Sequence, residues 1–143
     1  MAGATFLCLV VLLAGCASHR RPAGMPAADR GRNLFQSYCA ACHLTVEGEA
    51  PPLGSPWVTG PEERLIKIVL HGVRGPMEVQ GKIWDREMPG FGQILSDADV
   101  ASLLSFVRQR FGAPGEAITA AAVGRVRAAN QSRTEYWRVE DLR

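Results

Sequence analysis

Cys39-Ala40-Ala41-Cys42-His43 sets two thiols three positions apart, with an imidazole directly behind the second. C-x-x-C-H in that order is the attachment signature of c-type haem. Each thiol can add to one vinyl group of the porphyrin, and the imidazole can then bind the iron from one side. A cofactor bonded in this way cannot dissociate, so the polypeptide needs no deep cage. Its task is to set the axial ligands, the dryness and the hydrogen bonds around them. The competing readings are weaker. A zinc site needs more ligands, and the chain has no second C-x-x-C pair. A redox dithiol of thioredoxin type would follow a strand in a βαβ pattern, which is not found here.

Upstream of the motif, Ala28 to Ala41 suits a helix that the motif closes. Asp29 stands well against the positive helix start. Gly31 and Phe35, four apart, share a face, and a glycine there lets another backbone come close. Downstream, a loop from Leu44 to Gly60 holds Pro51, Pro52, Leu53 and Gly54. A proline carbonyl in this loop is a plausible acceptor for the second ring nitrogen of His43, a bond that would fix the imidazole and make it a better ligand.

Pro61, Glu62 and Glu63 suit the start of a second helix, with Leu65, Ile68 and Val69 on its apolar face and Gly72 as its stop. His71 closes that helix, where the helix dipole favours a structural role for it over a ligand role. Val73 to Leu95 has no helical period, and Val79 to Ile83 suits a short hairpin or turn. Met88-Pro89-Gly90-Phe91-Gly92 then offers a thioether in a Pro/Gly loop. Such a sulfur is a soft, neutral iron ligand that raises the reduction potential. Met77 is its rival, and core packing is what most methionines do. Ser96 to Phe111 carries the clearest helical signal. Ser96 and Asp99 make a capping-box-like start, Val100, Leu103, Leu104 and Val107 form a stripe, and Gly112 stops it. Its expected partner is the first helix, through Gly31 and Phe35. The alanine-rich stretch Thr119 to Asn130 suits a short outer helix, and Tyr136 and Trp137 in the tail are expected to dock on the domain.

The ends of the chain speak to address. Ala4 to Gly15 is almost wholly apolar but too short to span a bilayer, which takes about 20 residues. It suits a signal peptide, residues 1–15. Leu13-Ala14-Gly15-Cys16 resembles the lipobox of bacterial lipoproteins, whose cysteine is diacylated, and two acyl chains anchor stably. No Lys or Arg precedes the apolar run, so only the α-amino group charges that end. With Cys16 as lipidation site, residues 16–28 become a flexible Pro/Gly-bearing tether. Ala17 and Ser18 follow without an aspartate. By resemblance to bacterial sorting rules, this points to the periplasmic side, on the outer membrane rather than the inner.

The chain of 143 residues carries a formal charge of +2, which two haem propionates would bring close to neutral. No basic block appears, so nucleic acid is not an expected partner. Taken in order, Gly31 and Phe35, Cys39, Cys42 and His43, Pro52-Leu53, Met88-Pro89 and Phe106 resemble class I monohaem cytochromes c, over Asp29 to Gly112. The resemblance implies an all-α cytochrome c fold, in which N- and C-terminal helices cross around one covalently bound haem c. It also implies His43 and Met88 as axial ligands and a domain over 29–112, leaving 113–143 as a C-terminal helical extension. Ile66 to Gly75 and Met88 to Gly92 resemble, more particularly, small cytochrome domains associated with bacterial quinoprotein dehydrogenases. The function implied is electron carriage without substrate chemistry, between a periplasmic dehydrogenase and a further cytochrome or reductase. The alternatives are a haem enzyme or gas sensor with an exchangeable distal ligand, or a lipoprotein whose tail recruits a complex.

Overall fold

A computed structural model describes residues 25–44, 49–112 and 115–142. The expected signal peptide, Cys16 and most of the tether lie outside the described residues.

Helix α1, Ala27–Tyr38, buries Gly31 and Phe35 on one face. It packs on α5, Asp97–Phe111, which buries Val100, Ala101, Leu103, Leu104 and Val107. The contact is close because residue 31 has no side chain. A Cβ there would collide with the Ser102 carbonyl and stand 2.8 Å from the Phe106 Cβ. Phe35 then fits between Phe106 and Phe111, ring centroids 5.6 and 5.3 Å away. The capping box at the start of α5 is complete: the Asp99 amide donates to Ser96 Oγ, and the Ser96 amide donates to the Asp99 carboxylate. Asp99 also takes an ion pair from Arg30, pinning the two helices at their N-terminal ends.

Helix α1 stops at Tyr38, short of the expected Ala41. Cys39 leaves helical geometry (φ −121°), and a separate turn, α2 (Ala40–His43), carries the rest of the motif. The following segment contains one more turn, α3 (Pro56–Thr59), opened by a proline whose missing N–H costs nothing there. Helix α4, Glu62–His71, starts after Pro61 and ends at Gly72, whose φ of +79° suits glycine. Its buried face is wider than the expected stripe. Ile66 and Leu70 are buried alongside Leu65, Ile68 and Val69, because α4 packs against both α5 and the C-terminal segment.

The chain is not plainly all-α: it is helical in the main, in keeping with a cytochrome c fold, and carries two small sheets among the described residues. Strands β1 (Gly72–Arg74) and β4 (Met88–Pro89) pair antiparallel, with Val73 opposite Met88. Strands β2 (Pro76–Val79) and β3 (Lys82–Asp85) form a hairpin that turns through Gln80 and Gly81, both at positive φ. Pro76 and Pro89 withhold amide donors, and Gly72, Gly75 and Gly81 sit at positive φ, so no helix can run through this region. Extended backbone satisfies its hydrogen bonds across short ladders instead.

The C-terminal segment is built into the core. Helix α6, Ala120–Ala129, is capped by Thr119 and fully buries Val123, so it is not an outer helix. Beyond it, β5 (Trp137–Arg138) lies parallel to β1, with Val73 opposite Trp137, and the tail docks as expected. A final 3₁₀ turn, Val139–Leu142, adds two buried side chains to a second apolar cluster with Ile68, Val73, Met77 and Val79.

Candidate haem-binding groove

Apolar residues of α1, α4 and α5 leave a groove, partly open to solvent, into which the motif and both sheets also project residues. Cys39, Cys42 and His43 line it, as do Met77 and Met88, which belong to different sheets. Its lining is mostly apolar, with Phe35, Leu65, Val69, Leu104 and Val107 among the wall residues. A macrocycle with an apolar face fits such a surface.

His43 Nδ1 lies 3.1 Å from the Pro51 carbonyl oxygen. A carbonyl oxygen only accepts, so Nδ1 carries the proton and Nε2 keeps its lone pair for a metal. Burial holds the imidazole below its ordinary pKa, more than the bond to Pro51 raises it, so the neutral ligand form is favoured. Cys39 as a thiol is pushed up to about 11, first by burial and then by Cys42. A thioether has no proton to lose and is at home in the same surroundings.

The segment after Met88 is tied to α4. The Phe91 amide donates to the Val69 carbonyl at 2.8 Å and the Gly92 amide to the Leu70 carbonyl at 3.0 Å. Gly90 has to be glycine, since a Cβ would come within 2.8 Å of the His71 Cα and the Leu70 oxygen. The Phe91 ring meets Tyr38 edge-on at 5.8 Å, linking this segment back to α1 beside the motif. Met88 packs against both apolar clusters, and Met77 is more deeply buried in the second.

His71 does not line the groove. Its ring stands edge-on to Trp137, and burial, then the neighbouring Arg133 cation, lower its pKa. Its surroundings are thus set by the docked tail and do not favour a dipole-stabilised cation.

Two groove residues carried no signal in the linear sequence. Val139 reaches the groove only because the tail folds back over β1. Trp84, in the hairpin, lines the groove with a buried indole N–H that has no acceptor among the described residues. A buried donor left unpaired is costly. Haem carries two carboxylates, acceptors of the kind that N–H lacks, so the donor set and the groove fit the group.

Residues 26–107 match the family described as cytochrome c oxidase, cbb3-type, subunit III. The chain belongs to this family. It is a monohaem cytochrome c, with one covalently bound haem c. This cytochrome is 29% identical over 98 residues to a cytochrome c-552 of Thermus thermophilus, covering 62% of the chain and 66% of the relative. A second Thermus thermophilus cytochrome c-552 is 31% identical over 83 residues, covering 52% and 63%. The gluconate 2-dehydrogenase cytochrome c subunit of Pantoea cypripedii is 36% identical over 105 residues, 68% of this chain but 24% of that subunit. The cytochrome thus spans less than two thirds of each of these relatives.

Proposed function

We propose that this cytochrome is a one-electron carrier with His43 and Met88 as axial ligands and no substrate chemistry of its own. It would be anchored through a diacylated Cys16 on the periplasmic side, at the outer membrane. The observation that carries the ligand assignment is that His43 and Met88 line one groove from separate elements. His43 is fixed in the ligating tautomer by Pro51, and Met88 is held in a strand. Haem c, when bound, supplies a ferric/ferrous couple. The chain's own residues do the rest. Cys39 and Cys42 hold the group by covalent bonds, and the Pro51 carbonyl makes the imidazole more basic. The apolar walls exclude water, and the Met88 thioether, a soft neutral donor, would favour the reduced state. With His43 and Met88 both offered to the iron, the chain would have little to rearrange between the ferric and ferrous states, which would suit a carrier more than an enzyme or a gas sensor.

Similarity to a dehydrogenase cytochrome subunit supports a dehydrogenase as electron donor, with a further cytochrome or terminal reductase as acceptor. Absorption spectra of the oxidised protein test the ligand set. Met88→Ala is expected to abolish the sulfur-to-iron charge-transfer band and lower the reduction potential, while Met77→Ala leaves the band in place. The reverse result would move the ligand to Met77. A high-spin, five-coordinate spectrum of the unaltered protein would favour the enzyme or sensor reading instead.

A further inference from the structure

The strand that bears Met88 is short. On one side β4 pairs only with β1, and its continuation leans on the end of α4. Two residues makes a weak ladder. What closes the arrangement comes from the C-terminal segment.

Arg127, on α6, spends its guanidinium on the 92–97 stretch. Nη1 donates to the Gly92 carbonyl at 2.5 Å, Nη2 to the Leu95 carbonyl at 2.9 Å, and Nε to Asp97 Oδ1 at 2.7 Å. One rigid planar fork thereby links the end of the Met88 loop to the first turn of α5. Only arginine has the donor geometry for three such acceptors at once. The α6 backbone comes close enough for the fit because residue 124 is glycine: a Cβ there would stand 3.0 Å from Asp97 Oδ2. On the other side of the sheet, β5 flanks β1, so Val73 is held between Met88 and Trp137. Val139 and Leu142 then back the apolar cluster against which Met88 packs.

We propose that the C-terminal segment, through Arg127 and β5, is a positioning device that holds the Met88 strand in place and so keeps its thioether on the iron. Arg127 is a positioning residue, because it touches the Met88 loop and not the groove. The inference rests on the assignment of Met88 as axial ligand. An exogenous ligand can take the sixth position only if the 88–95 segment gives way. The charged hydrogen bonds of Arg127 raise the cost of that opening, and their loss lowers it.

The test is a titration of the ferric holoprotein with imidazole, followed by loss of the sulfur-to-iron band, alongside thermal melts. Arg127→Ala is expected to raise the apparent imidazole affinity about tenfold, the change expected when about one charge-assisted hydrogen bond's worth of holding is lost. Arg127→Lys keeps the charge beside Asp97 but not the fork, and is expected to fall between. Val126→Ala is the control for loosened packing, since Val126 is a buried core residue of the same helix. It should lower the melting temperature with little change in imidazole affinity. Imidazole affinity unchanged in Arg127→Ala would overturn the proposal, as would a rise that tracks the loss of melting temperature equally in Val126→Ala. If Arg127→Ala does not fold, the same comparison is made with Arg127→Lys. Met88→Ala separates the two levels. A band that survives it refutes the ligand assignment, whereas a band lost there but insensitive to Arg127 refutes only the positioning role.

Discussion

Gly31→Ala sets two physical effects of opposite sign against each other. Residue 31 lies within α1, and alanine in a helix interior is favoured over glycine by about 1 kcal/mol. Helix propensity alone therefore predicts stabilisation. The packing predicts the reverse. The added Cβ would collide with the Ser102 carbonyl oxygen and come within 2.9 Å of the Ser102 carbonyl carbon and 2.8 Å of the Phe106 Cβ. The nearest obstruction is backbone of a packed helix, which no rotamer change can move. Overpacking of this kind costs typically about 1–3 kcal/mol, and a backbone collision belongs at about 3. The net expectation is a loss of about 2 kcal/mol, or a fall of about 8 °C in Tm for a chain of this size. Removing the Phe106 side chain as well would not restore stability, because the Ser102 peptide remains in the way. Circular dichroism melts of the haem-loaded protein measure both variants. A Tm equal to or above that of the unaltered protein would refute the close α1–α5 contact on which the fold is built.

Three further outcomes are expected. The Ser96 hydroxyl first, and Arg30 further, hold the Asp99 carboxyl below its ordinary range, against an opposing push from desolvation. Its contribution to stability is then complete above the unfolded carboxyl value and drains away as pH falls through the lower folded value. The Tm gap between the unaltered protein and Asp99→Asn should accordingly narrow below about pH 4; a gap that stays constant into acid contradicts this. Cys39→Ser should leave at most one thioether to the porphyrin, read from a haemochrome spectrum with one unsaturated vinyl group. A spectrum identical to that of the unaltered protein would count against Cys39 as an attachment point. Cys16→Ala should move the cytochrome from the membrane fraction to the soluble periplasmic fraction, and persistence in washed membranes would argue against the lipid anchor.

Most of the helical frame was legible in the sequence because its signals are local. Ser96 and Asp99 sit three apart, the α5 stripe repeats with the helical period, and Gly72 and Gly112 mark stops within the same few residues that they terminate. The haem motif is local for the same reason: five contiguous residues hold both attachment thiols and an imidazole. The acceptor for His43 was foreseen as a proline carbonyl because the loop offered several within reach of a short excursion, and the structure selects Pro51. What stayed hidden depends on partners far along the chain. Strands of two to four residues are too short to show a period of two, and β1 forms between β4 and β5, each far along the chain, which satisfy its backbone from either side.

The same physics explains why the helix over Thr119 to Asn130 reads as an outer one. Thr119 to Asn130 has few large apolar side chains, so by composition it resembles a solvated outer helix. Val123 is nevertheless fully buried, because the small alanines around it let α6 settle onto α4 and α5. Small residues signal weak hydrophobic drive in a sequence, yet in a packed structure they permit close approach. Close approach puts the guanidinium of Arg127 within reach of two carbonyls and a carboxylate near the Met88 loop. An arginine in an alanine-rich helix reads as a surface charge until its acceptors are known, and those acceptors lie some thirty residues upstream. The proposed chemistry of attachment is thus written in one contiguous run, whereas the contacts proposed to hold the opposite face of the groove come from segments that meet only after folding.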